Sequence, residues 1–586
     1  MANLVILKLM KRIIISFVLL LGMAHLLPAQ SQRTIHLVTT GDVHGSWFSE
    51  PYVEGQKTRT SLMSVKHYVD SLRLAVGPDN VLLLDAGDAL QGDNAAYYYN
   101  YVVPEKPHLF TLIAKYMGYD VLVMGNHDIE TGHSVYDRVS FELGFAGIPY
   151  LGGNAVWAKS GKPYFPVYTI VKKAGLRIAV LGFNNTYIKN WVSEDLWKGM
   201  DFKDLLPYVQ ECVNEVNGVE NPDVTIVAVH SGTGDGDGTQ LENQALDLFN
   251  SLNGVDVLVG AHDHATYVKN DNGKCYVNGG ARAGYVGHCA INVQLDNRKR
   301  IEGKAAQAEV VRLDKYLVDE TMVNLFRSDF EEVKAFTNRK VGALDMPLYT
   351  RDAYKGMCDY VNLVHTVQIS AKESQLSFAA PLSFNGTVKQ GDVVFNDMFT
   401  IYPYENQMVV ARLKGSEIRN YLEYSYDSWI CAPGEHVLKI HEETDRNGRL
   451  RWSFDGRSYN FDSAAGLVYT VDVTKPFGQR VAIKSLADGN SFSPDAWYNV
   501  AMTSYRANGG GGLIREGAGI SAEEMNERII AKYPEIRDLI YNFISEHGTV
   551  TKADLNNSAV IGSWSFIPEE TVAPIMEADM AKLFRK

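Results

Sequence analysis

Residues 121–130 read VLVMGNHDIE: an apolar run of strand length stops at a glycine and passes at once into an amide, an imidazole and two carboxylates. A buried strand has no use for such groups inside it, but its end is where a sheet can present them. The same grammar recurs in TIHLVTTGDVHG (34–45), VLLLDAGDALQGD (81–93), VTIVAVHSG (224–232) and VDVLVGAHDH (255–264). With RIAVLGF (177–183), these are short Val/Ile/Leu-rich runs, each halted by Gly or a polar cluster, as strands buried on both faces are. Between them Leu62, Val65, Tyr68, Val69 and Leu72 recur at helical spacing. Strands alternating with helices predict a layered α/β domain over about 33–310.

The chain of 586 residues is too long for one ordinary core and predicts two domains of unequal size. Its composition, 46% hydrophobic and 21% charged, is that of a soluble globular protein. A net charge of -13 without a Lys/Arg-rich stripe argues against a grip on a nucleic-acid polymer, though not against single nucleotides. Lys8, Lys11 and Arg12 precede the apolar run Ile13 to Leu21, and LLPAQSQ follows. This reads as a signal peptide over 1–30, starting at Met1 or Met10, and the run is too short to span a membrane. No Cys stands at the cleavage region, so no lipid anchor is expected. A mature protein beginning near Gln30 would be periplasmic or secreted. The five cysteines show no CxxC and are read as structural.

Ligands of open α/β sheets bind beyond the carboxyl ends of the strands. Asp42 and His44, Asp88, Asn126 and His127, His230, and His262 and His264 all stand at such ends. One histidine there is more often a capping group. Five His, two Asp and one Asn at five strand ends converge instead on a metal site. Carboxylate, imidazole and amide oxygen suit Mn, Fe or Zn, and the ligand number fits two divalent ions. Such a pair can clamp a phosphoryl oxygen and activate water.

The order GDVHG, GD, GNHD, HSG, GAHDH resembles the calcineurin-like metallophosphoesterases across the whole first domain. The resemblance implies an α/β/β/α sandwich with one metal held by Asp42, His44, Asp88 and His264. It implies a second held by Asn126, His230 and His262, with Asp88 bridging. His127 would face the substrate, stabilising phosphoryl charge or protonating the leaving oxygen. Asp85 is expected to bond nearby backbone. The related bacterial 5'-nucleotidases place Asp three residues after this histidine to orient it; here the position is Glu130.

Residues 314–337, with Met322, Leu325, Phe326, Phe330, Val333 and Phe336, predict an amphipathic helix joining the domains and serving as a hinge. Boundaries are expected at 31–313 for the catalytic domain, 314–340 for the linker, 341–565 for a second α+β domain and 566–586 for a tail. YPYENQMVVARLKGSEIRNYLE and YNVAMTSYRANGGGG resemble the 5'-nucleotidase C-terminal domain. That implies a base sandwiched by Tyr404 and Tyr505 with Asn406 as a polar contact, and stacking of this kind tolerates any base. No Arg occurs in FAAPLSFNGTVKQGD, where 5'-nucleotidases hold the substrate's polar end, and Gly511 stands where they carry Asp. FAAPL, YTVDVTKPFGQRV and SYRANGGG resemble the 2',3'-cyclic-nucleotide 2'-phosphodiesterase/3'-nucleotidase branch.

The resulting expectation is an exported dinuclear phosphohydrolase of nucleotides or other small phosphate esters, with 2',3'-cyclic and 3'-nucleotides favoured. The alternatives are a 5'-nucleotidase, a nucleotide-sugar or diphosphate hydrolase, and a non-enzymatic nucleotide-binding or adhesion protein.

Overall fold

The computed structural model describes residues 31–53, 57–404, 406–444 and 450–585. The expected signal peptide lies outside them. The first domain begins with β1 (Ser31–Thr40), β2 (Val81–Asp85), β3 (Val121–Val123) and β4 (Tyr150–Leu151), all mutually parallel. A small hairpin-like pair, β5 (Ala155–Trp157) and β8 (Met200–Phe202), stands apart. A second series comprises β6 (Tyr168–Lys173), β7 (Leu176–Asn184), β9 (Val224–His230) and β10 (Val257–Gly260). Then come β11 (Thr266–Asp271), β12 (Lys274–Gly279), β13 (Tyr285–Leu295) and β14 (Ile301–Arg312).

They form two six-stranded sheets, in the orders β14-β13-β1-β2-β3-β4 and β11-β12-β10-β9-β7-β6. Alternation along each strand decides what faces what. Ile35, Leu37, Leu82 and Leu84 of the first sheet meet Ile178, Val180, Ile226 and Val259 of the second in one core between the sheets. The intervening residues Val38, Val81 and Leu83 point outward under helices Leu62–Val76, Leu109–Met117 and His133–Ala146. On the other side Leu181, Val227 and Leu258 lie under Leu205–Glu220 and Ala245–Ser251. The layers are therefore α/β/β/α. Both faces of each central strand are buried, which is why these segments read as continuous apolar runs.

The predicted linker helix is broken in two, Glu320–Leu325 and Arg327–Thr337, at Phe326 with φ -100 and ψ 19. Its apolar side chains divide between two cores. Met322, Phe326, Phe330 and Val333 bury in the first domain, whereas Phe336 joins a core of the second.

The second domain is built on a five-stranded sheet whose central strands are Gln407–Lys414 and Trp497–Thr503. Val409, Ala411 and Leu413 face helix Gly415–Trp429, and Met408 and Val410 face helices Asp359–Ile369 and Ile536–His547. The stretch expected as a tail is structured. Helix Glu569–Leu583 buries Val572, Met576, Met580 and Leu583 in that core, and its Asp579 accepts the backbone N–H of Val437 at 2.8 Å and of Leu438 at 3.0 Å. Its apolar spacing is helical, but Pro574 inside it hides the pattern from a sequence reading.

The sheet's glycine-rich end is pinned by a buried ion pair. Arg506 donates from Nη2 to Asp462 Oδ1 at 2.8 Å and from Nε to Oδ2 at 3.0 Å, and the Tyr421 hydroxyl donates to the same carboxylate at 2.5 Å. Both charges are buried, so removing one leaves the other without compensation. Asp462→Ala is expected to lower unfolding free energy by about 3–5 kcal/mol, measured by urea titration. A loss under about 1 kcal/mol would show that the pair does not carry this end of the domain.

Candidate metal centre and substrate cleft

The loops leaving β1, β2, β3, β9 and β10 converge at one end of the sandwich. Five of their functional residues lie in the left-handed region: Asp42 (φ 49), His44 (φ 48), Asp88 (φ 60), His262 (φ 79) and His264 (φ 58). Non-glycine residues hold such conformations only where their surroundings enforce them. Here the enforcement is a backbone ladder between loops, with Asp42 N–H donating to Gly87 O at 2.8 Å and His44 N–H to Asp88 O at 2.9 Å. Asp128 reinforces it. Its buried carboxylate accepts the backbone N–H of Gly125 at 2.8 Å, Asp88 and Ala89 at 3.0 Å, and Leu90 at 2.9 Å. Gly125 must be small, since a Cβ there would stand 2.0 Å from Asp88 Oδ1. As expected from the sequence, Asp85 bonds locally, accepting the Gly87 N–H at 3.0 Å.

The side chains gather as two trios, Asp42, His44 and His264, and Asp88, His230 and His262. Asp42 Oδ1 is surrounded by imidazole nitrogens: Nε2 of His264 at 3.6 Å, of His230 at 3.9 Å and of His44 at 4.0 Å. His44 and His264 turn their Nε2 atoms toward each other at 2.9 Å. His230 Nε2 is 2.9 Å from Asp88 Oδ2 within its own trio and 3.9 Å from Asp42 Oδ1 of the other, so it links the two. Asn126 Oδ1 lies 2.9 Å from His262 Nδ1, beside the second trio.

Asp42 Oδ1 is buried without a hydrogen-bond partner among the described residues, and Asp88 Oδ2 and His230 Nε2 have only each other, at 2.9 Å. Burial pushes the Asp42 carboxyl up to about 8 against the pull of His230. Lone pairs buried at such a cost and aimed at common points are what divalent cations satisfy, and the donor set fits them.

His127 reaches Glu130 at 2.5 Å between Nδ1 and Oε2, and Gln91 Nε2 donates to the same oxygen at 3.0 Å. Burial pulls this imidazolium down, but Glu130, Asp88 and Asp42 outweigh burial and raise its pKa to about 10. The longer Glu side chain therefore reaches the imidazole despite its extra methylene.

The second domain closes over this end. Tyr404, Tyr459 and Tyr505 are all half-buried there. Tyr404 meets Tyr459 edge to face at 6.4 Å. Burial holds the Tyr505 phenol above its ordinary pKa against the pull of Arg506, with Tyr459, Glu242 and Tyr404 close enough to add to the effect. The Tyr505 ring rests on Gly510, where a Cβ would lie 2.4 Å from ring atoms. Gly511 takes φ 74, and a Cβ there would stand 2.6 Å from Asn460 Oδ1. Asn406 is half-buried beside the Tyr402 hydroxyl.

Several residues here escaped the sequence reading. Tyr459 lies in no motif, and Glu242, 3.1 Å from His262 Nε2, comes from a polar loop without a pattern. Trp191 stacks on His262 at 5.2 Å and 20°, while its carbonyl accepts Asn508 Nδ2 of the second domain at 3.1 Å. Asp128 had a signal, its place inside GNHD.

Residues 35–266 match the calcineurin-like phosphoesterase family, and residues 337–516 match the 5'-nucleotidase C-terminal domain. The chain thus joins a segment that matches the calcineurin-like phosphoesterases to one that matches the 5'-nucleotidase C-terminal domain. It is a metal-dependent phosphoric ester hydrolase with the two-domain α/β architecture of that family. It is 24% identical to the 2',3'-cyclic-nucleotide 2'-phosphodiesterase/3'-nucleotidase of Salmonella typhimurium, over 81% of each chain. It is 22% identical to the trifunctional nucleotide phosphoesterase YfkN of Bacillus subtilis over 92% of this chain, and spans only 39% of that longer protein. A solved Staphylococcus aureus structure shares the fold with a TM-score of 0.74 at 18% identity, over 91% of this chain and 99% of that one.

Because Asp128 positions the backbone around Asp88, Asp128→Ala is expected to weaken metal binding about 10–100-fold. Metal titration followed by elemental analysis reads this directly. Unchanged affinity would mean that the loop holds its shape without the carboxylate.

Proposed function

We propose that the protein is an exported, dinuclear-metal phosphohydrolase of nucleotides, acting first on 2',3'-cyclic nucleotides and then on the 3'-nucleotides they yield. The observation that carries this reading is the juxtaposition of two buried ligand trios with a cluster of three tyrosines on the facing domain. In it, Asp42, His44, Asp88 and His264 hold one divalent transition metal, Mn, Zn or Fe, and Asp88, Asn126, His230 and His262 hold the other. When bound, the pair supplies Lewis acidity to the phosphoryl group and lowers the pKa of water.

The remaining steps belong to the chain itself. Tyr404 and Tyr505 stack the base, with Tyr459 closing one edge. Stacking tolerates any base, so base preference is expected to be broad. Water adds to phosphorus as the bond from phosphorus to the ribose 2'-oxygen breaks, and His127 gives that oxygen its proton. Glu130 keeps the imidazole protonated and oriented until then. The 3'-nucleotide formed is then cleaved to nucleoside and phosphate by the same groups.

The names of the Salmonella and Bacillus relatives support nucleotides as the substrate class. Gly511, packed on Asn460, leaves no room for the carboxylate of 5'-nucleotidases, which supports a different pose of the nucleoside. A 5'-nucleotidase remains the second reading because of the family of the C-terminal domain. The apolar segment 13–21 supports export, and no described helix is long and apolar enough to cross a membrane.

The test is a substrate panel on metal-loaded enzyme, with 2',3'-cyclic AMP expected to exceed 5'-AMP in kcat/KM. The reverse order would overturn the substrate assignment. His127→Ala is expected to lower kcat about 10²–10⁴-fold without loss of metal. Tyr505→Ala should raise KM for every base while sparing a small aryl phosphodiester.

A further inference from the structure

The cleft has a cation that the proposed mechanism leaves unused. Arg282 follows β12, in the loop leading to β13, at φ 52, and Ala283 after it has φ 52 as well. Two successive left-handed residues without glycine are costly and need an enforcing contact. That contact is the Arg282 backbone N–H, which donates to the carbonyl of Asp42 at 2.8 Å. The strained turn is therefore anchored to a metal-ligand residue.

The side chain of Arg282 is exposed and its Nη1 donates to the carbonyl of Gly92 at 3.4 Å, the guanidinium's one hydrogen bond found among the described residues. Gly92 in turn packs on His44, where a Cβ would lie 3.0 Å from the His44 Cβ. The guanidinium thus sits over the Asp42, His44 and His264 trio. Its charge is felt by both histidines and by the Tyr404 hydroxyl across the domain boundary.

Two of the neighbouring arginines are already committed, and a third, Arg457, lies beside Tyr404 and Tyr459 on the facing domain. Arg59 holds Asp93 at 2.7 Å, and Arg506 is buried against Asp462. The segment 378–392 of the second domain contains no arginine. A guanidinium carries five donors in a planar fork that matches two oxygens of a phosphoryl group. At Arg282 the 3.4 Å bond to Gly92 is the one hydrogen bond of the guanidinium found among the described residues, and Asp93 and Asp42 attract the charge toward the trio.

We infer that Arg282 binds the non-bridging phosphoryl oxygens of the substrate, so that the first domain supplies both the metals and the phosphate clamp. The inference builds on the proposed phosphohydrolase reading but does not need the substrate to be a nucleotide. It assigns the two domains separate tasks: phosphate affinity comes from the strained loop beside the metal centre, and base affinity from the tyrosines opposite. Substrates without a base should then depend on Arg282 as strongly as nucleotides do.

The experiment compares wild type, Arg282→Ala and Arg282→Lys, each metal-loaded. Inorganic phosphate is titrated by calorimetry, and KM and kcat are measured on 2',3'-cyclic AMP and on a small aryl phosphodiester. Arg282→Ala is expected to weaken phosphate binding and raise both KM values about 10–100-fold, with the same metal content as wild type. Arg282→Lys should recover part of the loss, since a point charge replaces the fork. Phosphate affinity and both KM values within about twofold of wild type would overturn the inference, as would a loss of metal in Arg282→Ala large enough to account for the change. If nucleotides are not cleaved but phosphate binding and the aryl diester still depend on Arg282, the nucleotide reading fails and the clamp stands.

Discussion

The structure depends on keeping Asp42 and Asp88 buried at the mouth of two packed sheets. A carboxylate out of water is costly unless opposite charge or hydrogen bonds meet it. Here the hydrogen bonds are only partly supplied: Asp42 Oδ2 accepts the His262 N–H at 2.8 Å and Asp88 Oδ1 the His127 N–H at 2.8 Å, while Asp88 Oδ2 has only His230 Nε2 at 2.9 Å and Asp42 Oδ1 has none. The left-handed backbone at five site residues, the glycine at 125 and the amide cradle of Asp128 all serve to hold these two oxygens in place. The sandwich carries that cost because its cores are extensive on both sides of each sheet.

The two domains do different physical work and meet through a few specific contacts. Tyr97 of the first domain inserts among Phe336, Phe395 and Phe399, and its hydroxyl donates to Asp538 at 3.0 Å. On the opposite side Trp191 links a metal-ligand histidine to Asn508 in the glycine-rich segment. A change in the seat of Tyr505 can therefore reach His262 through one ring and one hydrogen bond. The linker plants aromatic side chains in a core on each side and ties these contacts together through two helices that break at Phe326.

Much of the first domain could be read directly because its strands are buried on both faces. The segments at 34–40, 81–87, 121–126, 177–183, 224–230 and 255–261 each contain a strand, and the reactive groups quoted at their ends lie at or just beyond the strands' carboxyl ends, with Asn126 and His127 on the short helix Asn126–Glu130 and His230 closing β9. The second domain was legible only as a resemblance: its central sheet pairs strands far apart in the chain, Gln407–Lys414 with Trp497–Thr503, and Tyr404 and Tyr505 differ in no local way from the chain's other tyrosines. The expected tail at 566–586 failed as a reading because a proline interrupts an otherwise regular apolar spacing.

From the sequence alone came the layered class of the first domain and the side chains that form the two candidate metal clusters, since strand ends and ligand chemistry are both local properties. Tertiary structure decided the rest. Which nitrogen faces which carboxylate, how Glu130 spans to His127, and that Tyr459, Glu242, Trp191 and Arg282 border the cleft are consequences of long-range packing. These residues come from separate loops and two domains, and no spacing along the chain records that they meet.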